Sequence, residues 1–269
     1  MTNPQESLFN RLHEKYGDHY DDSESRNYRI DLYLSDIAKL IREQVPPDGA
    51  VLEIASGTGV NLSILKDLVG RQNSIEWWGN DISTEMQAAF VRNHGSQFLV
   101  SGDMTQQSVN VPRLFNLILI IGGVHHMTND LDGLFRNIKR FITPAGLLVF
   151  VEPNALFLNS IRKLWYRFDS RFDSINESAI NPFAIHEMYG SSFKSERITF
   201  FGGPGFFLVQ NSMIFGIPKI IKRLYSKSLT QFDLWYSRYQ FRRGLPAFFT
   251  VWKNQQAEST TRWNNITIE

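Results

Sequence analysis

The chain has 269 residues, of which 42% are hydrophobic and 13% aromatic, and its formal net charge is +1. This composition excludes a disordered or low-complexity protein and allows a large α/β domain with a substantial core. Because no cysteine is present, disulfides, thiolate metal sites and a cysteine nucleophile are excluded as well. The first residues lack the apolar run of a secretory signal, and no run reaches the ~18 apolar residues of a membrane span. We therefore expect a cytoplasmic protein.

The charge is unevenly distributed along the chain. Residues 1–153 carry 13 Lys and Arg against 19 Asp and Glu, a net charge of −6, whereas residues 154–269 carry 15 against 8, a net charge of +7. An acidic partner that approaches the second half fits this asymmetry, and so do ordinary helices with solvated basic faces.

The first predicted element is a helix, since apolar residues recur at three- and four-residue spacing from Tyr28 to Ile41 and the pattern stops before Pro46-Pro47. A strand at 50–54, a glycine turn and a second helical pattern follow. Further strands are predicted at 74–80, 98–101, 114–121 and 147–151. Further helices are predicted at 83–94, with Ser83 as N-cap, and at 131–142, and a turn is predicted at Pro144-Ala145-Gly146. Repeated strand–helix units of this kind predict a doubly wound α/β sheet.

Beyond Asn154 the alternation of strands and helices loosens. Residues 155–168 and 217–229 read as amphipathic helices, and 197–201 and 247–252 read as strands that finish the sheet in a hairpin-like manner. The second of these helices is apolar at Ile217, Ile220, Ile221, Leu224 and Tyr225 and basic at Lys219, Lys222, Arg223 and Lys227.

Two sequence features predict a nucleoside-binding crevice. In VLEIASGTGV, Gly57 and Gly59 permit positive φ angles and a close approach of a ligand to the backbone. Asp81 lies 22 residues after Gly59, at the end of the second strand, where a carboxylate can accept hydrogen bonds from ribose hydroxyls. Leu62 occupies the place of the third glycine of a dinucleotide motif, so we expect a ligand with a ribose and no pyrophosphate.

With these motifs the chain resembles class I S-adenosylmethionine-dependent methyltransferases, in the small-molecule branch similar to those of quinone biosynthesis. The resemblance covers about 50–154 and rests on five segments in the family's order: VLEIASGTG, WWGNDIS, VSGDM, LILIIGGVHHM and ITPAGLLVFVEPN. It implies an α/β fold with a doubly wound, seven-stranded, mostly parallel Rossmann-like sheet, a helical N-terminal lid and helical insertions after the fifth strand. The implied organisation is a lid at 1–45, a cofactor-binding core at 46–154, acceptor-binding helices and the last antiparallel strands at 155–254, and a tail, disordered in our expectation, at 255–269.

Carried over residue by residue, the resemblance implies S-adenosyl-L-methionine as cofactor. Glu53, Gly57 and Gly59 would hold its methionine end, Asp81 its ribose and Ile82 its adenine face. Asp103 and Met104 would meet the adenine amine and ring. The implied set is completed by Ala55, Ser56, Gly122 and Tyr28. Two alternatives remain open: Glu53 as a cap for backbone amides, and Asp103 as a helix N-cap.

His125 and His126 directly follow the fourth strand, where the acceptor meets the methyl group, and a histidine suits proton removal from a hydroxyl. We take His126 as the first candidate base and His125 as the second, with loop packing as the alternative role. A metal-assisted variant that uses them with Asp130 and Asp132 is disfavoured, because adjacent histidines point apart on an extended loop and no known ligand spacing is present. We therefore expect no metal.

The expected reaction is methylation of a small-molecule acceptor, with O-methylation of a sugar, a phenol or another secondary metabolite as the leading hypothesis. The alternatives are C-methylation of a quinone-like or lipid-linked substrate, an inactive cofactor-binding interaction module, and a nicotinamide oxidoreductase, which Leu62 disfavours. Nucleic acid is not expected, since Gly122-Gly123-Val124-His125 replaces the Asn/Asp-Pro-Pro-aromatic motif of base methylation.

Two groups of residues are candidates for acceptor selection. Aromatic and basic side chains could close over the cofactor or wall an acceptor pocket, with ordinary core packing as the alternative: Tyr16, Tyr20, Tyr28, Arg29, Phe157, Trp165, Tyr166 and Phe168. The basic helix from Ile217 fits an anionic or lipid-linked acceptor at a membrane surface, and it equally fits a cap helix that turns its polar face to water.

Overall fold

A computed structural model of the chain describes residues 22–70, 74–157 and 179–255, and within these ranges seven strands form one sheet. The strand order is β3-β2-β1-β4-β5-β7-β6. The first five strands are parallel, and β7 runs antiparallel between β5 and β6. The strands are β1 Ala50–Ile54, β2 Glu76–Asp81, β3 Leu99–Ser101, β4 Phe115–Ile121, β5 Ile142–Pro153, β6 Phe193–Phe201 and β7 Ala247–Asn254. The predicted α/β class and mostly parallel sheet are confirmed.

Helices connect these strands and cover the sheet. They are α1 Ser23–Arg29, α2 Ser35–Gln44, α3 Val60–Val69, α4 Thr84–His94, α5 Leu131–Phe141, α6 Pro182–Tyr189 and α7 Lys219–Ser237. A π-helical segment, Ile30–Leu34, joins α1 to α2, and another spans Phe206–Gln210. Ser83 caps α4, as predicted, by accepting a hydrogen bond from the amide of Met86. In the described ranges, no helix combines the length and apolarity needed to cross a bilayer.

Several predicted elements differ from the observed ones. The first helix begins before Tyr28, at Ser23, and includes the π-helical segment. Residues 102–114, between β3 and β4, contain no helix. The predicted turn at Pro144-Ala145-Gly146 lies inside β5 as a bulge, because Ile142 pairs with Phe115 and Leu147 already pairs with Leu117. Of the predicted helix at 155–168, only 155–157 is described, as a turn, and the rest lies outside the described residues.

The core lies on both faces of the sheet. Alternate residues of the central strands point to opposite sides, so that Val51 and Leu117 pack in one hydrophobic cluster and Leu52 and Ile118 in the other. Helices α1 and α2 and the π-helical segment between them contribute buried side chains to the first cluster: Tyr28, Tyr33, Leu34, Ile37 and Ile41. Residues 22–44 of the predicted lid are therefore packed on the core, while residues 1–21 lie outside the described part. In open α/β sheets ligands bind at the carboxyl ends of the parallel strands, and we call the loops at that edge the crevice.

Candidate cofactor-binding and active site

The loop between β1 and α3 turns through an unusual backbone conformation. Ala55, Gly57 and Gly59 all have positive φ angles, of 56°, 54° and 80°. A Cβ atom on Gly59 would lie 2.9 Å from the Phe90 ring, so only glycine fits there. Ala55 is not a glycine, and a left-handed alanine costs about 1–3 kcal/mol, a strain that is typical of ligand-binding loops. The sequence identified both glycines but gave no sign of the strain at Ala55.

Glu53, the acid of β1, is buried at the root of this loop. Its Oε1 accepts a hydrogen bond of 2.9 Å from Asn61, and the Asn61 Oδ1 accepts one of 2.6 Å from Arg29. Glu53 Oε2 is buried and has no hydrogen-bond partner within the described residues. Burial raises the pKa of Glu53 to about 8, although Asn61 and Arg29 oppose the shift. The alternative of Glu53 as a cap for backbone amides is not observed here, and sequence reasoning missed Asn61.

Asp81, at the end of β2, joins two loops of the crevice. Its Oδ2 accepts a hydrogen bond from the amide of Gly57 at 2.8 Å, and its Oδ1 accepts one from Ser83 at 2.9 Å. Burial raises the pKa of Asp81, while these backbone hydrogen bonds act in the opposite direction. Since each carboxylate oxygen has a further lone pair, both can still accept a ligand hydroxyl. Asp81 therefore positions the glycine loop, and its contact with the ribose stays a prediction.

The loop after β4 is organised by Glu152, a buried acid of β5 that sequence reasoning did not single out. Glu152 Oε1 accepts hydrogen bonds from the amides of Gly123 at 2.9 Å and Val124 at 2.7 Å. Its Oε2 lies 2.7 Å from His125 Nδ1. With an Nδ1 proton donated to the Glu152 carboxylate, Nε2 of this side chain, which is 19% exposed, would carry the lone pair. An acid at the end of an otherwise apolar strand was the signal in the sequence.

The sequence interpretation that the side chains of His125 and His126 point apart on an extended loop is wrong. Val124–His126 form a 3₁₀ turn and not an extended loop, and the two imidazole rings lie against each other with centroids 3.9 Å apart and planes tilted by 40°. Asp130 accepts a hydrogen bond from Gly133 as the N-cap of α5, and Asp132 accepts one from the Tyr189 hydroxyl. Across the described residues, no cluster of three or more His, Asp or Glu is placed to hold a metal.

Comparison with known proteins identifies the architecture that carries these loops. Residues 25–190, more than half of the chain, match the family model described as a methyltransferase domain. The chain belongs to this methyltransferase family. Family membership makes S-adenosyl-L-methionine its cofactor.

The individual proteins that resemble the chain share less than a third of its sequence in the aligned parts. The chain is 29% identical over 122 residues to the dTDP-3-amino-3,6-dideoxy-alpha-D-glucopyranose N,N-dimethyltransferase of Streptomyces fradiae, and the match spans 44% of the chain but only 45% of that relative. The fold of the chain is similar to that of a SAM-dependent methyltransferase from Archaeoglobus fulgidus, with a TM-score of 0.54 and 16% identity, over 90% of this chain and 99% of the other. It is also similar to that of a SAM-dependent methyltransferase from Aquifex aeolicus, with a TM-score of 0.52 and 12% identity, over 91% of this chain and 98% of the other.

The residues of the crevice fit this cofactor at its methionine and ribose ends. The unpartnered Oε2 of Glu53 suits an arriving ammonium group, because a buried acceptor without a partner costs about 1–3 kcal/mol until it is paired. The buried Ser56 hydroxyl, on the glycine loop, also has no hydrogen-bond partner within the described residues. Gly122, with φ of 66°, leaves space beside His125, since a Cβ there would approach nothing closer than 3.9 Å.

The adenine end of the methyltransferase site is less open than predicted. Asp103 Oδ1 accepts hydrogen bonds from the amide and hydroxyl of Thr105 in a turn, so the helix N-cap alternative is wrong. Ile82 is half-buried beside Asp81. Met104 is only 2% exposed and packs in the core, which leaves little of its side chain for the adenine ring. The adenine contacts of these residues stay predictions.

Tyr28 and Arg29, on α1, are committed to protein partners. The Tyr28 hydroxyl donates a 2.6 Å hydrogen bond to Asp233 on α7. Its burial and the Asp233 charge raise the pKa of Tyr28. Arg29 is fully buried and reaches Asn61. The predicted role of Tyr28 with the cofactor therefore stays a prediction. Tyr16, Tyr20, Trp165, Tyr166 and Phe168 lie outside the described residues.

Proposed function

We propose that the chain methylates a hydroxyl group of a small-molecule acceptor, with a sugar as the first candidate. One observation carries the proposal: the buried Glu152 carboxylate holds His125 through Nδ1 at the end of β4. A histidine oriented by a carboxylate is a general base whose second nitrogen can accept a proton. A binding module that transfers no methyl group needs no such pair.

The chemistry requires alignment and one proton transfer. The cofactor supplies a methyl group that its sulfonium sulfur already activates. The acceptor oxygen forms a bond to the methyl carbon as the carbon–sulfur bond breaks, with the electron pair passing to sulfur. The hydroxyl proton passes to Nε2 of His125, and Glu152 stabilises the imidazolium that forms. Correct alignment of the reactants supplies up to ~7–11 kcal/mol, and the base adds ~10²–10⁴-fold.

A second candidate is N-methylation of an amino sugar. It is favoured by the Streptomyces fradiae relative, which is described as an N,N-dimethyltransferase of an amino sugar nucleotide. His125 would serve here by removing the proton of the ammonium group before the attack. C-methylation of a quinone-like or lipid-linked acceptor is a further outcome that an acceptor panel tests.

The test is release of S-adenosylhomocysteine with matched hydroxy and amino sugar nucleotides, a catechol and a hydroquinone. We expect turnover with the hydroxy sugar, a loss of at least 100-fold in kcat for His125→Ala, and a smaller loss in the matched control His126→Ala. Glu152→Gln should lower kcat, because the imidazolium that forms on His125 loses its stabilising carboxylate, while S-adenosylhomocysteine affinity stays within a few-fold. Turnover unchanged in His125→Ala removes the base, and turnover confined to the amino sugar selects the second candidate.

A further inference from the structure

In helix α7 several polar side chains are buried and several apolar side chains are exposed. Its buried positions are polar: Lys222 and Asp233 are fully buried, and Thr230 is 6% exposed. Some of its apolar positions face outward, with Ile220 74% and Leu224 82% exposed, while Tyr225 and Leu229 pack on the core. The helix also exposes basic side chains, as the alternative of a cap helix with a polar face toward water expects.

Buried polar contacts explain the orientation of α7. The Lys222 ammonium forms an ion pair with Asp22 and donates hydrogen bonds to the hydroxyls of Ser25 at 2.8 Å and Ser212 at 3.0 Å. Asp233 accepts hydrogen bonds from the Tyr28 hydroxyl at 2.6 Å and from the amide of Phe206 at 3.0 Å. Two buried charges are costly to strip of their partners, so these contacts hold the apolar face outward.

The outward face carries an apolar strip, interrupted by the exposed side chains of Ser228 and Gln231, which we name the α7 ridge. Of the eleven large apolar or aromatic side chains that are exposed in the described ranges, eight lie between Phe215 and Phe241. They are Phe215, Ile220, Ile221, Leu224, Phe232, Trp235, Tyr239 and Phe241. At about 100° per residue, the five positions from Ile220 to Trp235 fall within an arc of about 120° along a helix about 28 Å long. A strip of this kind marks an interaction surface.

Charge around the α7 ridge is predominantly positive, although Glu24 Oε1 lies 3.4 Å from Nε of Arg223. Six exposed cations accompany it: Lys219, Arg223, Lys227, Arg238, Arg242 and Arg243. Lys219, Arg223 and Lys227 lie along one edge of the apolar arc, at successive spacings of four residues. Asp233 is the sole acid between residues 211 and 255, and it is buried. The ridge therefore combines a partly aromatic apolar face with a basic margin.

We propose that the α7 ridge docks on an anionic lipid surface, with α7 lying in the plane of the interface. Amphipathic helices with Trp, Phe and Leu on one side and Lys or Arg beside them bind in this way, by apolar burial and attraction to anionic headgroups. A second copy of the chain fits less well, because a two-fold interface places the same surface against itself and would bring both sets of cations together without exposed acids to pair them. The proposal concerns a surface apart from the crevice and does not depend on methyl transfer.

The experiment uses the full chain with vesicles of neutral phosphatidylcholine, with or without 30% anionic phosphatidylserine. Because the chain has no cysteine, Leu224→Cys creates a single site for an environment-sensitive thiol fluorophore. Met188→Cys, on α6 and 59% exposed, is the matched control. We expect the label at 224 to shift to the blue with anionic vesicles alone and the label at 188 to stay unchanged.

Two further variants separate the apolar and charged contributions. Ile220→Ser/Leu224→Ser and Lys219→Glu/Lys227→Glu should each weaken co-sedimentation with anionic vesicles at least tenfold, without changing S-adenosylhomocysteine affinity. Absence of lipid binding overturns the proposal, as does binding that survives both variants. A dimer in sedimentation velocity that Ile220→Ser/Leu224→Ser abolishes would assign the ridge to a second copy. Slow labelling at 224 without vesicles, compared with 188, would assign it to another part of the same chain.

Discussion

The raised pKa of Glu53 predicts that cofactor binding releases a proton. Below pH 8 the buried carboxyl is mainly neutral, because its pKa is about 8. An ammonium group at Oε2 favours the carboxylate, so binding lowers this pKa and the affinity rises with pH. Between pH 6 and pH 7 the ionised fraction increases about ninefold, which corresponds to ~1.3 kcal/mol. Over this interval the ligand's α-amino group, with a pKa of about 7.7–8.0, stays mostly protonated.

Calorimetry of S-adenosylhomocysteine at both pH values, in two buffers with different heats of ionisation, measures this effect. We expect the dissociation constant to fall about ninefold from pH 6 to pH 7, with nearly one proton released at pH 6. Glu53→Gln should bind more weakly at pH 7 and lose the pH dependence. His125→Ala should retain it, which separates Glu53 from a histidine that titrates in the same range. Equal affinity at the two pH values without proton release would refute the pairing of Glu53 with the amine.

Three other predictions concern single side chains. Asp81→Ala should weaken S-adenosylhomocysteine binding at least tenfold, since both the ribose contact and the hydrogen bond to Gly57 are lost, and unchanged affinity in calorimetry would remove the ribose assignment. Lys222→Met should lower the free energy of unfolding by about 3–5 kcal/mol in urea titrations, because it leaves the Asp22 charge buried without its partner; a change under 1 kcal/mol would contradict this. Gly79→Ala should lower the melting temperature, because the new Cβ would lie 2.7 Å from a buried hydroxyl, and an unaltered melting curve would show that β2 relaxes freely.

The sheet and half of the site were predictable because they depend on local patterns. Apolar runs specify the parallel strands, and strand ends specify where Gly57, Gly59 and Asp81 meet. Glu152 was not predictable in the same way. Its partner His125 is 27 residues distant in sequence, and their contact depends on the pairing of β4 with β5. Periodicity likewise locates the apolar stripe of α7 but does not specify which side of a helix faces inward. The inward side of α7 is determined by buried Lys222 and Asp233, which bind partners on α1 and in the segment that precedes α7.

The position of β7 has a consequence for folding of the chain during its synthesis on the ribosome. Among the seven strands of the described ranges, β7 is synthesised last, yet it lies between β5 and β6 and pairs with both along their lengths. Until Ala247–Asn254 leaves the exit tunnel, both neighbours present unpaired backbone edges, the kind of surface that promotes aggregation. Nascent chains stalled before residue 247 should therefore recruit chaperones, and chains stalled well after residue 254 should release them.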